Sequence, residues 1–522
     1  MTAHLPELIA RLLAPARYPH LVDQVVLEET HGAWVLLAGE WAYKIKKPVD
    51  YGFMDFSSLD KRRAACEAEL RVNARFATDD PATALYTEVW PLLGSVQDPR
   101  WGHGDTDSTR AIEFAVRMRR FESAQRLDRV ADQGALSAQH ISAFARDWVA
   151  LQARAAIANE HDARSRPEVG LGFARDNLEG LLQAPLPPAV QQQVHRLQHW
   201  TESTHRRLLP LLEARRAQGR VREGHGDLHL ANLVLIHGRI VPFDAIEFNE
   251  DLRWVDVASD LSFLWLDLIA QRQSGLANWL LSEWLDASGD AEATQLWAYF
   301  ACYRALVRAK VAALRAEQSA HAELDLAECA RYIALAEAIA TPPPARLIIT
   351  HGLSGSGKSH AAQQLMCAAE AGPTIRLRSD VERKRLFGLD ALARSGSALN
   401  GDLYAPGAHV RTYEHLRQRS QALLSQGWTV IVDAAFLKQA ERQAFAQLAQ
   451  ALHCPFAILA CDAPPAVLRK RIAQRRELGQ DPSEATETVL EQQLRGIQPL
   501  DPIEREQLLE WPLSSKRLPD RA

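Results

Sequence analysis

The sequence predicts two domains of different fold class: an α+β domain, followed by an α/β domain built on a parallel sheet. Its 522 residues exceed what one hydrophobic core usually supports. Up to about residue 340, strand-like segments come first and long helical segments follow, whereas later in the chain short apolar strands alternate with helices. Between these regions, Thr341-Pro342-Pro343-Pro344 interrupts any helix and favours an extended spacer. The predicted division is therefore 1–340, a proline-rich linker at 341–345, and 346–522.

The first region begins with strands and continues with helices. Val25–Val49 has the pattern of a hairpin with a turn at Gly39-Glu40, and Glu113–Phe121 predicts a further strand. Val221–Phe248 is mixed, with two short strands around a polar loop. Apolar residues at three- and four-residue spacing predict helices over Ser137–Ile157 and Pro187–Gln218, and Leu59–Phe76 and Trp254–Ala340 also have helical patterns.

The second region has the repeating order of strand and helix that is typical of a parallel sheet covered on both faces. Short β-rich runs occur at Arg346–Thr350, Thr374–Leu377, Thr429–Val432 and Phe456–Ala460. A helical stretch follows each of them.

Composition and charge limit the classes of function. With 47% hydrophobic and 24% charged residues, the chain has an ordinary globular composition, and its net charge of -5 argues against wrapping nucleic acid through bulk electrostatics. The six cysteines are scattered without zinc spacing, which favours reduced thiols and a cytoplasmic location. Neither a signal peptide nor an apolar run of membrane-spanning length is evident, so no membrane partner is expected.

A phosphate-binding loop is the clearest motif of the second region. An apolar strand at Leu347–Ile349 leads into the pattern G-x-x-x-x-G-K-S and then into a helix. Glycines let backbone N–H groups surround phosphate oxygens, so the candidate nucleotide contacts are Gly352, Ser354, Gly355, Ser356 and Gly357. Lys358 would reach the β and γ phosphates, and Ser359 would bind Mg²⁺. The alternative is a simple turn rich in glycine and serine.

Two carboxylates follow later strands of the same region. Asp433 ends an apolar strand, where it would bind Mg²⁺ or its water, or else cap a helix. Asp380, in Arg378-Ser379-Asp380, would orient or deprotonate an acceptor hydroxyl, with Arg383 nearby to hold substrate, or it too would cap a helix.

Four arginines crowd one helical segment near the C-terminus: Arg469, Arg471, Arg475 and Arg476. They would form a lid that neutralises the transferring phosphoryl group, or a solvated helix face. Arg471 and Arg475 are the candidates for nucleotide contact.

Several motifs of this region resemble those of P-loop kinase-like ATPases related to zeta toxins, gluconate kinases and polynucleotide kinases. The motifs are GLSGSGKS, RSDVERK at 378–384, IVDAAF at 431–436 with Arg442 downstream, and LRKRIAQR at 468–475. The first is specific for nucleotide binding, and the resemblance implies ATP and Mg²⁺ as cofactors. The other motifs support a kinase-like group without choosing its acceptor.

The first region carries a second candidate site at His225-Gly226-Asp227, followed by Asn232 and by a strand that ends at Asp244. This spacing gathers three oxygen-bearing groups, as phosphoryl transfer requires. Asp227 would accept or orient the acceptor proton, while Asn232 and Asp244 would bind Mg²⁺. His225 would brace the loop. The alternative for a lone H-G-D is a turn with a capping Asp.

This pattern resembles the aminoglycoside phosphotransferase and choline kinase branch of the protein-kinase-like fold, over roughly Val25 to Ala340. The resemblance implies that a strand lysine binds the ATP phosphates, with Lys44 favoured over Lys46. A helix glutamate would be its partner, either Glu69 or Glu67. Asp260 would tie down the catalytic loop. One departure is that only Gly32 and Gly39 flank the first strands, where protein kinases carry a full glycine-rich loop.

The order of the two halves resembles bacterial proteins described as bifunctional aminoglycoside phosphotransferase/ATP-binding proteins. The sequence thus predicts an ATP-binding, Mg²⁺-dependent bifunctional phosphotransferase that acts on small-molecule hydroxyl acceptors, with a nucleic acid end as a less favoured acceptor. The alternative is a regulatory or scaffold protein in which one P-loop kinase or ATPase is active and the other half is a pseudokinase. The acceptors and the oligomeric state are not predicted.

Overall fold

The computed structural model describes residues 5–52, 54–103, 109–159, 161–318, 321–368, 372–390, 406–478, 483 and 485–509. The chain divides into two compact units. The first unit comprises Met1–Glu179 and Thr201–Asp267, and the second comprises Gly180–Trp200 and Leu268–Ala522. This division by contacts does not fall at the proline segment 341–345, because the helix Ser274–Ser288, which precedes the prolines, packs on the second sheet.

A six-stranded antiparallel sheet with the order β1-β2-β3-β6-β4-β5 forms the start of the first unit. Its strands are β1 (Val25–Glu29), β2 (Ala33–Ala38), β3 (Trp41–Lys46), β4 (Tyr86–Gly94), β5 (Pro99–Trp101) and β6 (Glu113–Arg119). The predicted hairpin is confirmed, since Leu36 of β2 pairs with Tyr43 of β3. Strands β4 and β5 were missing from the sequence interpretation.

The two faces of this sheet have different coverings. Helix α1 (Glu7–Leu12) lies with an apolar cluster that includes Tyr43 and Trp90. Helix α2 (Leu59–Ala74) lies on the opposite face, where Cys66 packs with Ala42 and Val116. Alternate residues of a strand share a face, so Lys44 and Lys46 of β3 face α2 together with Ala42.

The remainder of the first unit contains helices and two small strand pairs. The helices are α3 (Leu127–Asp132), α4 (Ala138–Arg154), α5 (Pro167–Gln183), α6 (Pro188–Ala217) and α7 (Val257–Ala270), of which the last three continue into the second unit. Strands β7 (Val221–Glu223) and β10 (Trp254–Asp256) pair antiparallel, and β8 (Leu233–Ile236) forms a hairpin with β9 (Arg239–Pro242). Residue 254 therefore begins a short strand and not a helix.

The second unit has a four-stranded parallel sheet with the order β12-β13-β11-β14. Its strands are β11 (Leu347–His351), β12 (Thr374–Arg378), β13 (Thr429–Asp433) and β14 (Phe456–Ala460), which confirms all four predicted strands. The described helices are α8 (Ser274–Ser288), α9 (Ala293–Gln318), α10 (Ala322–Ala340), α11 (Lys358–Cys367), α12 (Ser379–Leu386), α13 (Pro406–Ser425), α14 (Gln439–Ala451), α15 (Pro465–Leu478), α16 (Glu487–Gly496) and α17 (Pro502–Glu506).

Helix α8 covers the edge strand β12. The side chain of Ser282 accepts a hydrogen bond from the backbone N–H of Arg376 at 3.1 Å, and Asn278 accepts one from Thr374 at 3.1 Å. The buried guanidinium of Arg376 pairs with Glu283 at 2.8 Å. These contacts satisfy strand donors that would otherwise be unpaired at a sheet edge. The fold of the second sheet therefore includes a helix that precedes the prolines.

Among the described helices, none combines the length and apolar character that a membrane span requires.

Candidate functional sites

The phosphate loop of the second unit connects the end of β11 to the start of α11. Its glycines Gly352, Gly355 and Gly357 have positive φ angles of 145°, 81° and 96°. A Cβ atom on Gly352 would lie 2.2 Å from the carbonyl oxygen of Cys461, and one on Gly355 would lie 2.9 Å from that of Leu468. Only glycine fits at these two positions without moving neighbouring backbone.

Side chains around the loop hold it in place. Lys358 Nζ donates a hydrogen bond to the carbonyl oxygen of Leu353 at 2.7 Å. Arg471 Nη1 donates one to the carbonyl oxygen of Gly355 at 3.2 Å, and the amide of Ser354 donates one to Gln493. The hydroxyl of Ser356 is buried and has no hydrogen-bond partner. The loop thus has the strand-to-helix geometry that the motif predicts, with Arg471 beside it.

A cavity of about 480 Å³ opens from the loop. Its lining includes Ser354, Gly355, Lys358, Ser359, Arg378, Asp380, Arg383, His409, Tyr413, Asp433, Lys438 and Glu441. The structure therefore brings the predicted residues Lys358, Ser359, Asp380 and Asp433 to one space. The part of the lining beyond the loop is rich in charged groups, as expected where a polar acceptor would meet a triphosphate.

Asp433 and Asp380 are not helix caps. Asp433 ends β13 and the next helix starts only at Gln439, so its carboxylate has no helix to cap. Its Oδ2 atom is buried without a hydrogen-bond partner, as a ligand of an ion or water would be before binding. Asp380 lies within α12, whose N-cap residue is Arg378 and makes no side-chain capping bond. Its Oδ1 atom instead accepts a hydrogen bond from Arg383 at 3.0 Å.

Three residues of the cavity were missed by the sequence interpretation. His409 Nε2 lies 2.6 Å from Glu441 Oε1, and the His409 ring packs 4.5 Å from the ring of Tyr413. The hydroxyl of Tyr413 accepts a hydrogen bond from the backbone N–H of Phe436, and burial raises its pKa. The four-residue spacing of His409 and Tyr413 places both on one helix face. This spacing is a signal in the sequence that could have suggested these two residues.

The arginines of the kinase-like motifs have separate environments. Arg442 is buried and binds Glu504 at 2.7 and 2.9 Å as well as the carbonyl oxygen of Phe436, so it ties the C-terminal segment to α14. Arg469 pairs with Glu487 at 2.9 Å with both side chains half-exposed. The side chains of Arg475 and Arg476 lie outside the described part of the structure, so the predicted nucleotide contact of Arg475 stays a prediction.

In the first unit, the predicted catalytic loop folds around Asp227. The side-chain amide of Asn232 donates to Asp227 Oδ2 at 2.9 Å and to its carbonyl oxygen at 3.0 Å. His229 Nε2 lies 3.3 Å from the same carboxylate oxygen. The backbone N–H of Phe243 donates to the carbonyl oxygen of Asn232 at 3.0 Å, which places the following residue, Asp244, beside this loop.

The loop is anchored from α7 and by its own histidine. Asp260 accepts hydrogen bonds from the backbone N–H groups of His225 at 2.6 Å and Gly226 at 3.0 Å, and Asp267 accepts one from Leu230 at 2.9 Å. His225 Nδ1 accepts from the Asp227 amide, so Nε2–H donates to the carbonyl oxygen of Phe243 at 2.9 Å. Burial lowers the pKa of His225 and keeps it neutral in this bracing role.

Asp244 has an unusual backbone conformation for a residue with a side chain, with φ at 60°. Its amide donates to the hydroxyl of Tyr86 at 3.0 Å, and its carboxylate pairs with Lys44. Burial would raise the pKa of Asp244, but the charge of Lys44 and its hydrogen bond more than offset this, so the pKa lies below its ordinary value. Left-handed backbone at such residues is concentrated at functional sites.

The contacts of the two candidate lysines and the two candidate glutamates show which of them lie next to Asp244. Lys44 pairs with Glu69 Oε1 at 2.8 Å and with Asp244, whereas Lys46 is buried behind it and pairs with Glu69 Oε2 at 2.5 Å and with Glu247. Glu67 is exposed and pairs with Arg63 on the helix surface. Lys44 and Glu69 are therefore the residues that lie next to Asp244.

Both sites offer oxygen ligands of the kind that Mg²⁺ prefers. Within the described residues, no group of three or more His, Cys, Asp or Glu side chains is arranged to hold a metal. Mg²⁺ sites in nucleotide enzymes usually need only one or two carboxylates together with the substrate phosphates and water. The unpartnered oxygen of Asp433 in the second unit and the Asp244 carboxylate beside Asn232 in the first unit fit that requirement.

These features define the class of protein. The chain joins an α+β unit, which has an antiparallel sheet and a loop where Asn232 contacts Asp227, to a unit with a phosphate loop and a parallel sheet. Residues 347–500 match a protein-family model described as an AAA domain. That match confirms the P-loop character of the second region.

Among curated proteins, the chain is similar to the uncharacterized proteins Rv2004c of Mycobacterium tuberculosis (strain H37Rv) and Mb2027c of Mycobacterium bovis. Each is 28% identical over 451 residues, which cover 86% of this chain and 86% of the relative. The similarity therefore extends over both regions of the chain.

Three solved structures have low similarity to this chain. A choline/ethanolamine kinase family protein from Mesorhizobium loti has a TM-score of 0.38 and 15% identity, covering 63% of this chain and 98% of its own. An aminoglycoside phosphotransferase from Alicyclobacillus acidocaldarius has a TM-score of 0.33 and 14% identity, covering 62% and 91%. Kti12 from Chaetomium thermophilum, in complex with ADP-AlF3, has a TM-score of 0.25 and 19% identity, covering 32% and 91%.

Proposed function

We propose that this protein is an ATP-dependent phosphotransferase with two Mg²⁺-dependent sites, each of which transfers the γ-phosphoryl group to a hydroxyl acceptor. The observation that carries the proposal is the cavity of the second unit. Asp380 lines this cavity together with Lys358 and Ser359 of the phosphate loop. A simple ATPase needs the loop and a water-positioning group, whereas a kinase also needs room and a base for the acceptor.

In the P-loop site, the backbone N–H groups of residues 352–357 would surround the β-phosphate, and Lys358 would exchange its bond to Leu353 for a phosphate oxygen. Asp380 would take the proton of the acceptor hydroxyl, with Arg383 holding its carboxylate in position. Arg471 lies at the loop, where its charge would stabilise the transferring group. Arg475, one turn further along α15, is proposed to join it.

In the kinase-like site, Lys44 would bind the ATP phosphates and Glu69 would hold that lysine. Asp227 would orient or accept the acceptor proton, because its carboxylate is fixed by Asn232 and His229. His225 and Asp260 position the loop without touching substrate.

Mg²⁺ would be held by Asn232 and Asp244 in the first unit and by Ser359 and Asp433 in the second. When bound, it would neutralise charge on the phosphate oxygens as the phosphoryl group is transferred. The two carboxylates start from different states. Asp433 has a buried oxygen without a hydrogen-bond partner, whereas Asp244 would have to give up its ion pair with Lys44 to bind Mg²⁺.

The acceptors are proposed to be small molecules that carry a hydroxyl group, and the location is proposed to be cytoplasmic. The described cysteines are all free thiols, which suits a reducing compartment. The proline segment 341–345 is proposed as the border between the two functional halves, although the contact-defined units divide elsewhere.

The full-length protein would test the proposal through two variants, Asp227→Asn and Lys358→Ala. Each protein is incubated with MgATP and a metabolite extract, and phosphorylated products are identified by mass spectrometry. Each variant should lose a different set of products while the double variant loses both sets. If neither change lowers ATP consumption or product formation, the proposed function is wrong.

A further inference from the structure

A second buried ion pair lies behind the predicted phosphate-binding lysine of the first unit. Lys46 and Glu247 contact each other directly, and their side chains are only 1% and 7% exposed. Glu69, which is 0% exposed, lies between the two lysines: its Oε1 pairs with Lys44 and its Oε2 with Lys46. The helix glutamate is therefore held at both oxygens, each by a different lysine of the same strand.

The charge balance shows why a second lysine is needed. Three carboxylates, those of Glu69, Asp244 and Glu247, act on Lys44 and raise its pKa against the effect of burial. Lys46 supplies a second cation to the same cluster, and its pKa is raised as well: burial lowers it, but Glu247 and Glu69 more than offset this. Without Lys46, a single lysine would face all three carboxylates, of which Glu69 and Glu247 are buried. A buried carboxylate without a counter-ion is strongly unfavourable.

We infer that Lys46 and Glu247 are positioning residues for the nucleotide site. They fix the carboxylate of Glu69, so that Glu69 holds Lys44 through one oxygen only. Lys44 then stays directed toward Asp244 and the phosphates. In this role neither residue would touch the nucleotide. The inference rests on the proposed kinase-like site, and it adds to the lysine–glutamate pair a second pair that this chain builds from β3 and from the segment just after Asp244.

The geometry explains how the effect would reach the phosphates. Removal of Lys46 frees Glu69 Oε2, and the carboxylate can then rotate to hold Lys44 through both oxygens. Lys44 would be drawn toward α2 and away from Asp244. The loss should fall on the phosphate part of the ligand, because Lys44 is proposed to bind the phosphates and not the adenosine part.

The experiment uses the full chain with Lys358→Ala, which silences the P-loop site. In this background, Lys46→Met should weaken MgATP binding about tenfold, as expected for the loss of one charged contact that positions a ligand group. Adenosine binding, measured by displacement of a labelled ATP analogue, should change less than twofold. Lys61→Met is the control, because Lys61 is half-exposed and pairs with Asp55 and Ser57 at the surface; it should leave both affinities unchanged.

The double variant Lys46→Met/Glu247→Gln separates positioning from stability. It removes both buried charges together, so it should recover the melting temperature that Lys46→Met loses and remain folded even if the single variant does not. Its MgATP affinity should stay low, because Glu69 Oε2 is still not held. Recovery of MgATP affinity in the double variant would overturn the inference, as would an equal loss of adenosine and MgATP binding or no loss of MgATP binding.

Lys44→Ala in the same background distinguishes this inference from the proposed function. If Lys44→Ala weakens MgATP binding and the Lys46 variants do not, only the positioning role is wrong. If Lys44→Ala also binds MgATP normally, the kinase-like nucleotide site is wrong, and the positioning role is refuted with it.

Discussion

The two candidate sites, both proposed to bind the charged phosphates of ATP, differ in how the chain supplies their residues. The proposed P-loop site would take most of its phosphate contacts from one continuous segment, residues 352–359, in which glycines permit the required backbone turns. The kinase-like site collects its residues from one strand (Lys44), one helix (Glu69), the loop with Asp227 and Asn232, and the segment after β9 with Asp244. A continuous motif depends mainly on local backbone geometry, whereas the dispersed site depends on the packing of α2 against β3 and of α7 against the loop 225–232.

From this comparison we predict that nucleotide binding at the P-loop site is most sensitive to substitutions that change the backbone conformation of the loop. Gly352→Ala should abolish detectable nucleotide binding at this site, a loss of about 100-fold or more, because the new Cβ would lie 2.2 Å from a backbone oxygen at a φ of 145°. Binding of MgATP to a full-length protein that carries Asp244→Ala, which disables the other site, measures the effect.

Gly407→Ala is the matched control. Gly407 lies in helix α13 with open space where a Cβ would be placed, so alanine should be neutral or slightly stabilising. Equal nucleotide binding by Gly352→Ala and the parent would show that the loop does not need its glycine geometry.

The acceptor side of the P-loop site should be sensitive to a single carboxylate. Asp380→Asn should lower product formation about 100-fold, within the usual range for the loss of a general base, while MgATP affinity stays within twofold. The products assigned to this site by mass spectrometry provide the readout. Asp462→Asn, an exposed residue that follows β14, should change neither quantity. A large loss of MgATP affinity in Asp380→Asn would instead place this residue on the nucleotide.

The dispersed site should depend on a buried helix residue that no local motif identifies. Glu69→Gln leaves Lys44 and Lys46 without their shared partner, so it should lower the free energy of unfolding of the protein by about 3 kcal/mol and reduce MgATP affinity about tenfold. Denaturant unfolding and calorimetric titration measure the two effects.

Glu67→Gln is two residues away on the same helix and should have almost no effect, because its exposed pair with Arg63 contributes little. Similar losses in both variants would mean that helix stability, and not the ion pairs of Glu69, controls the site.

A smaller effect should appear where α8 meets the second sheet. Burial raises the pKa of Asp286 from 3.8 to about 6, against the opposing effect of Arg376, and its Oδ2 atom has no hydrogen-bond partner. Between these two values the folded state binds more protons than the unfolded state, so this residue makes stability fall as pH rises from about 4 to 6. Below about pH 4 Asp286 no longer lowers the stability of the folded state, and above about pH 6 it lowers that stability by its full amount.

Asp286→Asn should therefore stabilise the protein at pH 7 by about 2 to 3 kcal/mol, since each unit of pKa shift corresponds to about 1.4 kcal/mol. The gain should shrink to near zero at pH 4, as followed by denaturant unfolding across pH. The exposed Asp390→Asn is the control and should show no such trend. A constant gain at all pH values would indicate that the charge of Asp286 is not its cause.

Local sequence determined the phosphate loop, the four strands of the parallel sheet, the β2–β3 hairpin and the H-G-D loop with its Asn and Asp. Each of these depends on residues close together in the chain, on glycine conformations or on alternating apolar residues. Folding decided the rest: it chose Lys44 and Glu69 over Lys46 and Glu67 as the pair next to Asp244, and it buried Arg442 in a structural ion pair. It also added His409 and Glu441 to the cavity and joined α8 to β12. Such choices require knowledge of which side chains are brought together from distant segments and which are removed from water, and the linear pattern of residues does not contain that information.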